Sequence, residues 1–354
     1  MISMSKDEIN ELKKELSWFT ETLCTSGFEE DFSKRLKELC KDYSDKTRET
    51  QYGDLIFTHE GEGKKKILFT AHMDIPGAIV TSIDDEGFIW FTYIGGLDTR
   101  AVPNQKVSLY APDKVIVGVV GTKSLHLVPE DEAHRVTPMD ELFVDIGAHS
   151  REEVEKLGIK IGTSMTFQSS INFLQNNTVA GVGFDNRAFC TVLYRVLKKV
   201  REQKRTEDVF FAFTTREELS MLGCELAANI VLPDYAFILD IAPTGDTPDL
   251  ADSRIPVRLG GGPTFLIKQG EDIIHLPLYR RLLEIAAKHN IPTQSCSMEW
   301  EMTETHKIQE IKHGVPTLDI CLPIRYAHSA VETVSLEDML QIEKLLLALI
   351  EEIQ

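Results

Sequence analysis

The chain has no disulfide framework, no long apolar run and no surplus of basic charge, and each absence removes a class of function. Its six cysteines, Cys24, Cys40, Cys190, Cys224, Cys296 and Cys321, are scattered, with no Cys-x-x-Cys pair. They read as small buried apolar residues rather than as catalytic thiols, and a reducing cytoplasm is the expected location. No segment is long and apolar enough to span a bilayer, and Met1–Glu8 holds no apolar core of signal-peptide type. The 38 basic side chains are outnumbered by 56 acidic ones, a formal net charge of -18. Nucleic acid and anionic membranes, which repel such a surface, are therefore not expected as partners.

What the chain does have is core-forming material: 42% of its 354 residues are apolar, with room for about two domains. Ser5 is placed to cap a helix running to about Leu23, with Ile9, Leu12, Leu16 and Phe19 at helical spacing. A second helix is expected around Phe32–Tyr43, then a buried strand at Ile67–Thr70. From about Ile75 to Ser170 the pattern changes to short β-rich runs broken by turn signals such as Asp85-Glu86-Gly87, with one brief helix at Ser150–Leu157. This reads as a small all-β insertion.

Alternation of strand and helix then resumes. Strands are expected at Val209–Phe213, Tyr235–Ile241 and Thr317–Leu322, and helices after Asp185 and at Leu219–Ile230, Leu278–His289 and Leu336–Ile353. The fold class is thus α/β, a mostly parallel sheet with helices on both faces and an inserted small all-β domain. The expected divisions are residues 1–74 and 171–354 for the α/β part and 75–170 for the insertion.

Five separated segments carry the chemistry. They are Ala71-His72-Met73-Asp74, Phe184-Asp185-Asn186-Arg187, Arg216-Glu217-Glu218, Leu239-Asp240-Ile241 and Tyr326-Ala327-His328-Ser329. Open α/β sheets gather ligands beyond the carboxyl ends of their strands, which gives these segments one address. Singly, each has a plainer reading. His72 and His328 could be satisfied core or rim histidines, Asp185 a helix N-cap, and Glu217-Glu218 a solvated helix start. Asp240 lies inside the apolar run Phe237–Ala242, where an unpaired carboxylate is costly and a cation would relieve it. Together, two imidazoles and several carboxylates suit a pair of divalent cations.

In that reading Asp185 bridges the metals, His72 and Asp240 complete one site, and Glu218 and His328 the other. Asp74 would receive the second ring N–H of His72. Glu217 is left beside a ligand, free to act as general base and then acid. The remaining histidines and the tryptophans Trp18, Trp90 and Trp300 read as surface, packing or interface residues. Arg216 and Arg325 are candidates either for selecting acidic substrates or for structural roles.

These segments resemble those of the tetrahedral aminopeptidases, the glutamyl and deblocking aminopeptidases once also called cellulases or endoglucanases. The resemblance runs through almost the whole chain. It rests on Phe69–Asp74, on Ile94-Gly95-Gly96-Leu97-Asp98, Val119–Lys123 and Leu142–Ala148 in the insertion, and on Asp185-Asn186-Arg187 and Arg216-Glu217-Glu218. The long run Leu239–Pro248 and Arg325–Ser329 complete it.

It implies a zinc-exopeptidase-like fold and an N-terminal exopeptidase acting on short peptides, with two zinc or cobalt ions. His72, Asp185, Glu218, Asp240 and His328 would be the metal ligands, Glu217 the base, and Asp74 the residue orienting His72. It also implies homodimers joined through the inserted domain, often assembled into a hollow homododecamer.

Two departures stand out. The family commonly has Gly-Gly-Thr-Asp-Ala before the last strand; here Glu301-Met302-Thr303-Glu304-Thr305 is larger and more acidic, which bears on side-chain preference. After His-Met-Asp, where an acidic residue is common, stand Ile75 and Pro76. The competing functions are a related dinuclear amide hydrolase, such as a deacylase or carboxypeptidase, and a non-catalytic scaffold stabilised by metal. A glycosidase is disfavoured, because Glu217 and Glu218 are neighbours rather than carboxylates facing each other across a sugar bond.

Overall fold

The computed structural model of the chain describes residues 5–130, 134–168, 170–201, 206–248, 250, 255–299 and 302–353. Trp300 and Glu301, both singled out above, and the first residues of the N-terminal stretch lie outside them.

The first helix, Lys6–Glu21, starts where the sequence says it should. Ser5 Oγ accepts the Glu8 N–H, and the Ser5 N–H donates to the Glu8 carboxylate at 3.0 Å, a reciprocal cap that satisfies two orphan donors. Ile9, Leu12, Leu16 and Phe19 are all buried. Together with the helices Glu30–Cys40, Phe184–Val200, Leu276–Lys288 and Leu336–Glu352, this helix covers one face of a twelve-stranded sheet.

Alternation along the central strands explains why both faces must be covered. Phe69, Phe211, Phe213, Phe237 and Leu239 point into that larger core. Leu68, Ala212, Ala236 and Ile238 point the other way, against Leu222–Val231 and Ile308. Strands buried on both sides read as continuous apolar runs, which makes them legible in the sequence.

The sheet is mixed. Asp208–Thr214, Lys66–His72, Tyr235–Pro243 and Thr317–Arg325 run parallel at its centre. Leu55–His59 and Lys46–Glu49 add antiparallel strands at one side, and Glu332–Ser335, Thr178–Gly181 and Asn172–Phe173 at the other. Thr264–Gln269 also pairs antiparallel with Thr317–Arg325 and parallel with Gln294–Met298. These flanking strands are not among those expected from the sequence. Lys46–Glu49 is polar and exposed throughout, and Gln294–Met298 carries little apolar alternation, so neither shows the signal of a buried strand.

The insertion forms a closed barrel of six strands: Gly77–Ile83, Ile89–Ile94, Phe143–Asp145, Lys114–Gly121, Lys106–Ala111 and Ser164–Phe167, in spatial order. Closure removes sheet edges. Its core, built around Ile89, Val107, Leu109 and Val144, is separate from those of the large sheet. The brief helix appears as Arg151–Lys156, capped by Ser150. The single helix expected at Leu219–Ile230 is instead two, Glu217–Ser220 and Leu222–Val231, divided at Met221, whose φ is +54°. Trp18 packs against Phe19 and Phe32, and Trp90 lies near Phe143.

Candidate functional site

The parallel strands deliver their polar residues to one rim. His72 closes Lys66–His72 and lies directly opposite Thr214, three residues before Glu217. Tyr235–Pro243 pairs with the same strand, Ile238 opposite Thr70; continuing that register sets Asp240 level with His72. His328 follows Thr317–Arg325, and Asp185 lies at the start of Phe184–Val200. Tyr326 and His328 both adopt left-handed φ, near +60°, a conformation side-chain-bearing residues rarely hold without a reason.

All seven residues named from the sequence come together here. His72 Nε2 lies 3.2 Å from Asp185 Oδ1, 3.9 Å from Asp240 Oδ1 and 3.7 Å from Glu217 Oε2. His328 Nε2 lies 3.1 Å from Asp185 Oδ2 and 3.9 Å from Glu218 Oε1. Two triads able to hold a cation therefore share Asp185: His72–Asp185–Asp240 and Asp185–Glu218–His328. Asp185 Oδ1 and Glu218 Oε1 are buried without a hydrogen-bond donor. Orphaned carboxylate oxygens in a buried site are costly, and a divalent cation is the partner this imidazole–carboxylate set fits.

The plainer readings fail on position. Asp185 stands at the entrance of the regular helix, with non-helical φ −79° and ψ +100°, but its carboxylate faces His72 and His328. Glu217 is 9% exposed and the Glu218 side chain 6%, so neither is a solvated helix start.

Electrostatics points the same way. Burial pushes the Glu217 carboxyl well above the usual carboxylate range, with Asp240 and Glu218 adding to the rise. Burial likewise raises Glu218 and Asp240, helped in each case by Asp185. Burial opposes ionisation of Asp185 too, but the imidazoles of His328 and His72 overcome it and hold that carboxyl low. On His328, burial is outweighed by Asp185 and Glu218, and the imidazole is pushed up to about 11. Among the described residues, four carboxylates facing two imidazoles make a pocket short of positive charge.

Asp74 contacts His72 and more besides. The ring nitrogen Nδ1 of His72 is 3.1 Å from the backbone carbonyl oxygen of Asp74 and 3.7 Å from its carboxylate. The carboxylate also accepts the backbone N–H groups of Glu217 and Glu218, each at 3.1 Å, and the Ser26 hydroxyl at 2.5 Å. Asp74 thus fixes the segment carrying Glu217 and Glu218, while its main chain orients His72.

Several supporting residues are not evident from the sequence. Glu332 Oε1 and Oε2 accept the backbone N–H groups of His328 and Asp185, at 2.9 and 3.3 Å. Its place in the buried strand Glu332–Ser335 is the one available signal. His328 Nδ1 donates to the carbonyl of Gly96, so a loop of the inserted barrel reaches the site. Asn186 donates to the Leu239 carbonyl at 2.7 Å, tying the Asp185 segment to the strand of Asp240.

The segment that departs from the family also behaves unexpectedly. Met302 and Thr303 line the cavity over the cluster, but Glu304 turns inward, 1% exposed, and accepts from the Thr214 hydroxyl at 2.5 Å. Its acid is not presented to a substrate. Arg325 is held by Asp246 through contacts of 2.8 and 2.6 Å, and Arg216 stacks on Tyr52 at 4.6 Å. Both arginines are thereby engaged structurally.

Known proteins resemble the chain along most of its length. The family model for M42 glutamyl aminopeptidase matches residues 53–345. An aminopeptidase-named protein of Acetivibrio thermocellus is 36% identical over 345 residues, covering 97% of this chain and 98% of its own length. A TET aminopeptidase from a marine sediment archaeon, Thaumarchaeota archaeon SCGC AB-539-E09, superposes with a TM-score of 0.94 at 28% identity, covering 98% of this chain and 97% of its own. The Pyrococcus horikoshii TET1 peptidase, described as assembling into a tetrahedron or a large octahedral shell, gives a TM-score of 0.87 at 32% identity, with 97% and 100% covered.

Proposed function

The chain belongs to the M42 glutamyl aminopeptidase family, and from that premise we propose that it is a dinuclear metallo-aminopeptidase removing N-terminal residues from short peptides. The observation that carries this reading is the pair of triads sharing Asp185, with Glu217 alongside. His72, Asp185 and Asp240 would hold one divalent cation, and Asp185, Glu218 and His328 the other; zinc or cobalt suits these donors. Cations held there would supply Lewis acidity to the scissile carbonyl and lower the pKa of the attacking water towards neutrality.

Glu217 is placed to take a proton from the attacking water and to pass it to the leaving amine. Its carboxylate lies 3.7 Å from His72 Nε2, beside both triads, where a proton can be taken up and released. Asp74 keeps the Glu217 and Glu218 backbone fixed through its two N–H contacts. Glu332 does the same for Asp185 and His328.

A carboxypeptidase would need a cation to receive the substrate's terminal carboxylate. Among the described residues no arginine or lysine lines the cavity, which favours the N-terminal reading. Glu217 also belongs to a third group able to hold a cation, His72–Glu217–Glu218, so its replacement with metal analysis separates a base from a ligand. The protein works as a homodimer or larger homo-oligomer, with residues 75–170 as the dimerisation module. Val115, Val117 and Val119, exposed along one barrel strand, support that role. A cytoplasmic location is supported by the buried free thiols of Cys24, Cys40, Cys190 and Cys224.

The test is Glu217→Gln, with metal analysis of protein purified without chelator. We expect about two equivalents of metal retained and turnover of aminoacyl p-nitroanilides reduced by at least ~100-fold. Unchanged turnover would remove Glu217 from the chemistry, and negligible metal uptake would remove the dinuclear site.

A further inference from the structure

The cluster fills only part of its cavity of about 260 Å³. The rest of the wall is Gly96, Met221, Ile241, Met302 and Thr303. Among the described residues, every carboxylate on that wall belongs to the cluster, and the only imidazoles are His72 and His328. The arginines within or beside the site segments are committed elsewhere. Arg187 is buried and donates to the Phe19 carbonyl at 3.1 Å, Arg216 stacks on Tyr52, and Arg325 is bound to Asp246.

The apolar part of the wall is held in place. Met221 is fixed by its N–H, which donates to the carbonyls of Arg216 and Glu217. Ile241 lies within a central strand and is 4% exposed. Met302 stands at the mouth, 52% exposed, on a loop that the next residues anchor. The Thr303 N–H donates to Gln269 Oε1 at 2.9 Å, and the hydroxyls of Thr303 and Thr305 donate to the buried Asp319 at 2.5 and 2.9 Å.

Resting on the aminopeptidase reading, we infer that Met221, Ile241 and Met302 form the subsite for the N-terminal side chain, and that it selects leucine and methionine over acidic or basic residues. Two thioethers and one aliphatic side chain adapt to an apolar guest and offer no ionic partner. A glutamate side chain would be desolvated against Met221, Ile241 and Met302, with no arginine or lysine among the described lining residues to pair it. A lysine side chain would find no carboxylate on the wall that the cluster does not already use. The glutamyl preference in the family's name is therefore not carried by this pocket.

The metal-loaded enzyme should be assayed with Leu-, Met-, Glu- and Lys-p-nitroanilide. The expected ranking puts kcat/KM for Leu and Met at least ~10-fold above Glu and Lys, the scale on which an apolar pocket discriminates. Met302→Arg, a change at an exposed position, should raise the Glu-to-Leu ratio by at least ~10-fold at an unaltered melting temperature. Fastest turnover of Glu or Lys by the wild type, or a ranking untouched by Met302→Arg, would overturn the subsite while leaving an aminopeptidase. Inertness towards all four anilides would overturn the aminopeptidase reading and the subsite with it.

Discussion

Replacing Asp74 with asparagine tests how the site is held together. The native carboxylate is fully buried and accepts three donors: the Glu217 N–H at Oδ1, and the Glu218 N–H and Ser26 hydroxyl at Oδ2. An asparagine keeps one acceptor oxygen. In the better orientation that oxygen serves Glu218 and Ser26, and the amide NH₂ then faces the Glu217 N–H. One buried backbone donor is orphaned, at about 1–3 kcal/mol, and the surviving bonds lose their charge assistance. The sum is a destabilisation of about 2–4 kcal/mol. Glu217, released from its anchor, should lose its aim.

We expect kcat to fall by at least ~10-fold and metal affinity by ~10–100-fold, the usual range for residues that support metal ligands. The assays are urea unfolding with chelator present, zinc titration, and steady-state kinetics at saturating metal. Adding metal should restore occupancy but not kcat. If saturating zinc restores wild-type kcat, the carboxylate matters only for metal affinity and does not position Glu217.

Two further outcomes follow from the geometry. Gly95 has φ +77°, and a Cβ there would sit 2.8 Å from Glu218 Oε2. Gly95→Ala should cost about 1–3 kcal/mol and displace Glu218, lowering metal content below two equivalents; full metal content with wild-type turnover would contradict it. Asp338 accepts the N–H groups of Gly260 and Gly262, each at 2.7 Å, and burial pushes its carboxyl up to about 6. The folded chain thus holds this proton more tightly than the unfolded one. The resulting stability is fully present below about pH 4 and lost as pH rises through about 6, roughly 2–3 kcal/mol in all. Melting temperatures of Asp338→Asn should decline less steeply across that window than those of the wild type; equal slopes would exclude Asp338 as the source.

Much of the scaffold is legible in the chain because it depends on local pattern. Ser5 and Glu8 sit three apart and cap a helix; Ile9, Leu12, Leu16 and Phe19 share one helical face. The central strands are equally plain: Ile67–Ala71 and Phe237–Leu239 are apolar at nearly every position because both faces are buried. Each run leads to a polar residue, which is why His72 and Asp240 stand out. The edge strand Lys46–Glu49 lacks such a signal, since a short, polar edge satisfies backbone hydrogen bonds without burying an apolar stripe. Leu219–Ile230 reads as one helix because its composition permits one, and only packing imposes the left-handed turn at Met221.

The order of residues alone limits the chemistry on offer: two imidazoles and a set of carboxylates at the ends of buried strands. Which group partners which is settled by folding. The folded chain assigns the Asp74 carboxylate to the backbone of Glu217 and Glu218, turns Glu304 away from the cavity, and brings Gly96 of the barrel against His328. The difference is one of range. Helix periodicity and caps are settled within a few residues, whereas several of these contacts join segments more than a hundred residues apart, and their geometry depends on how the whole sheet twists and packs.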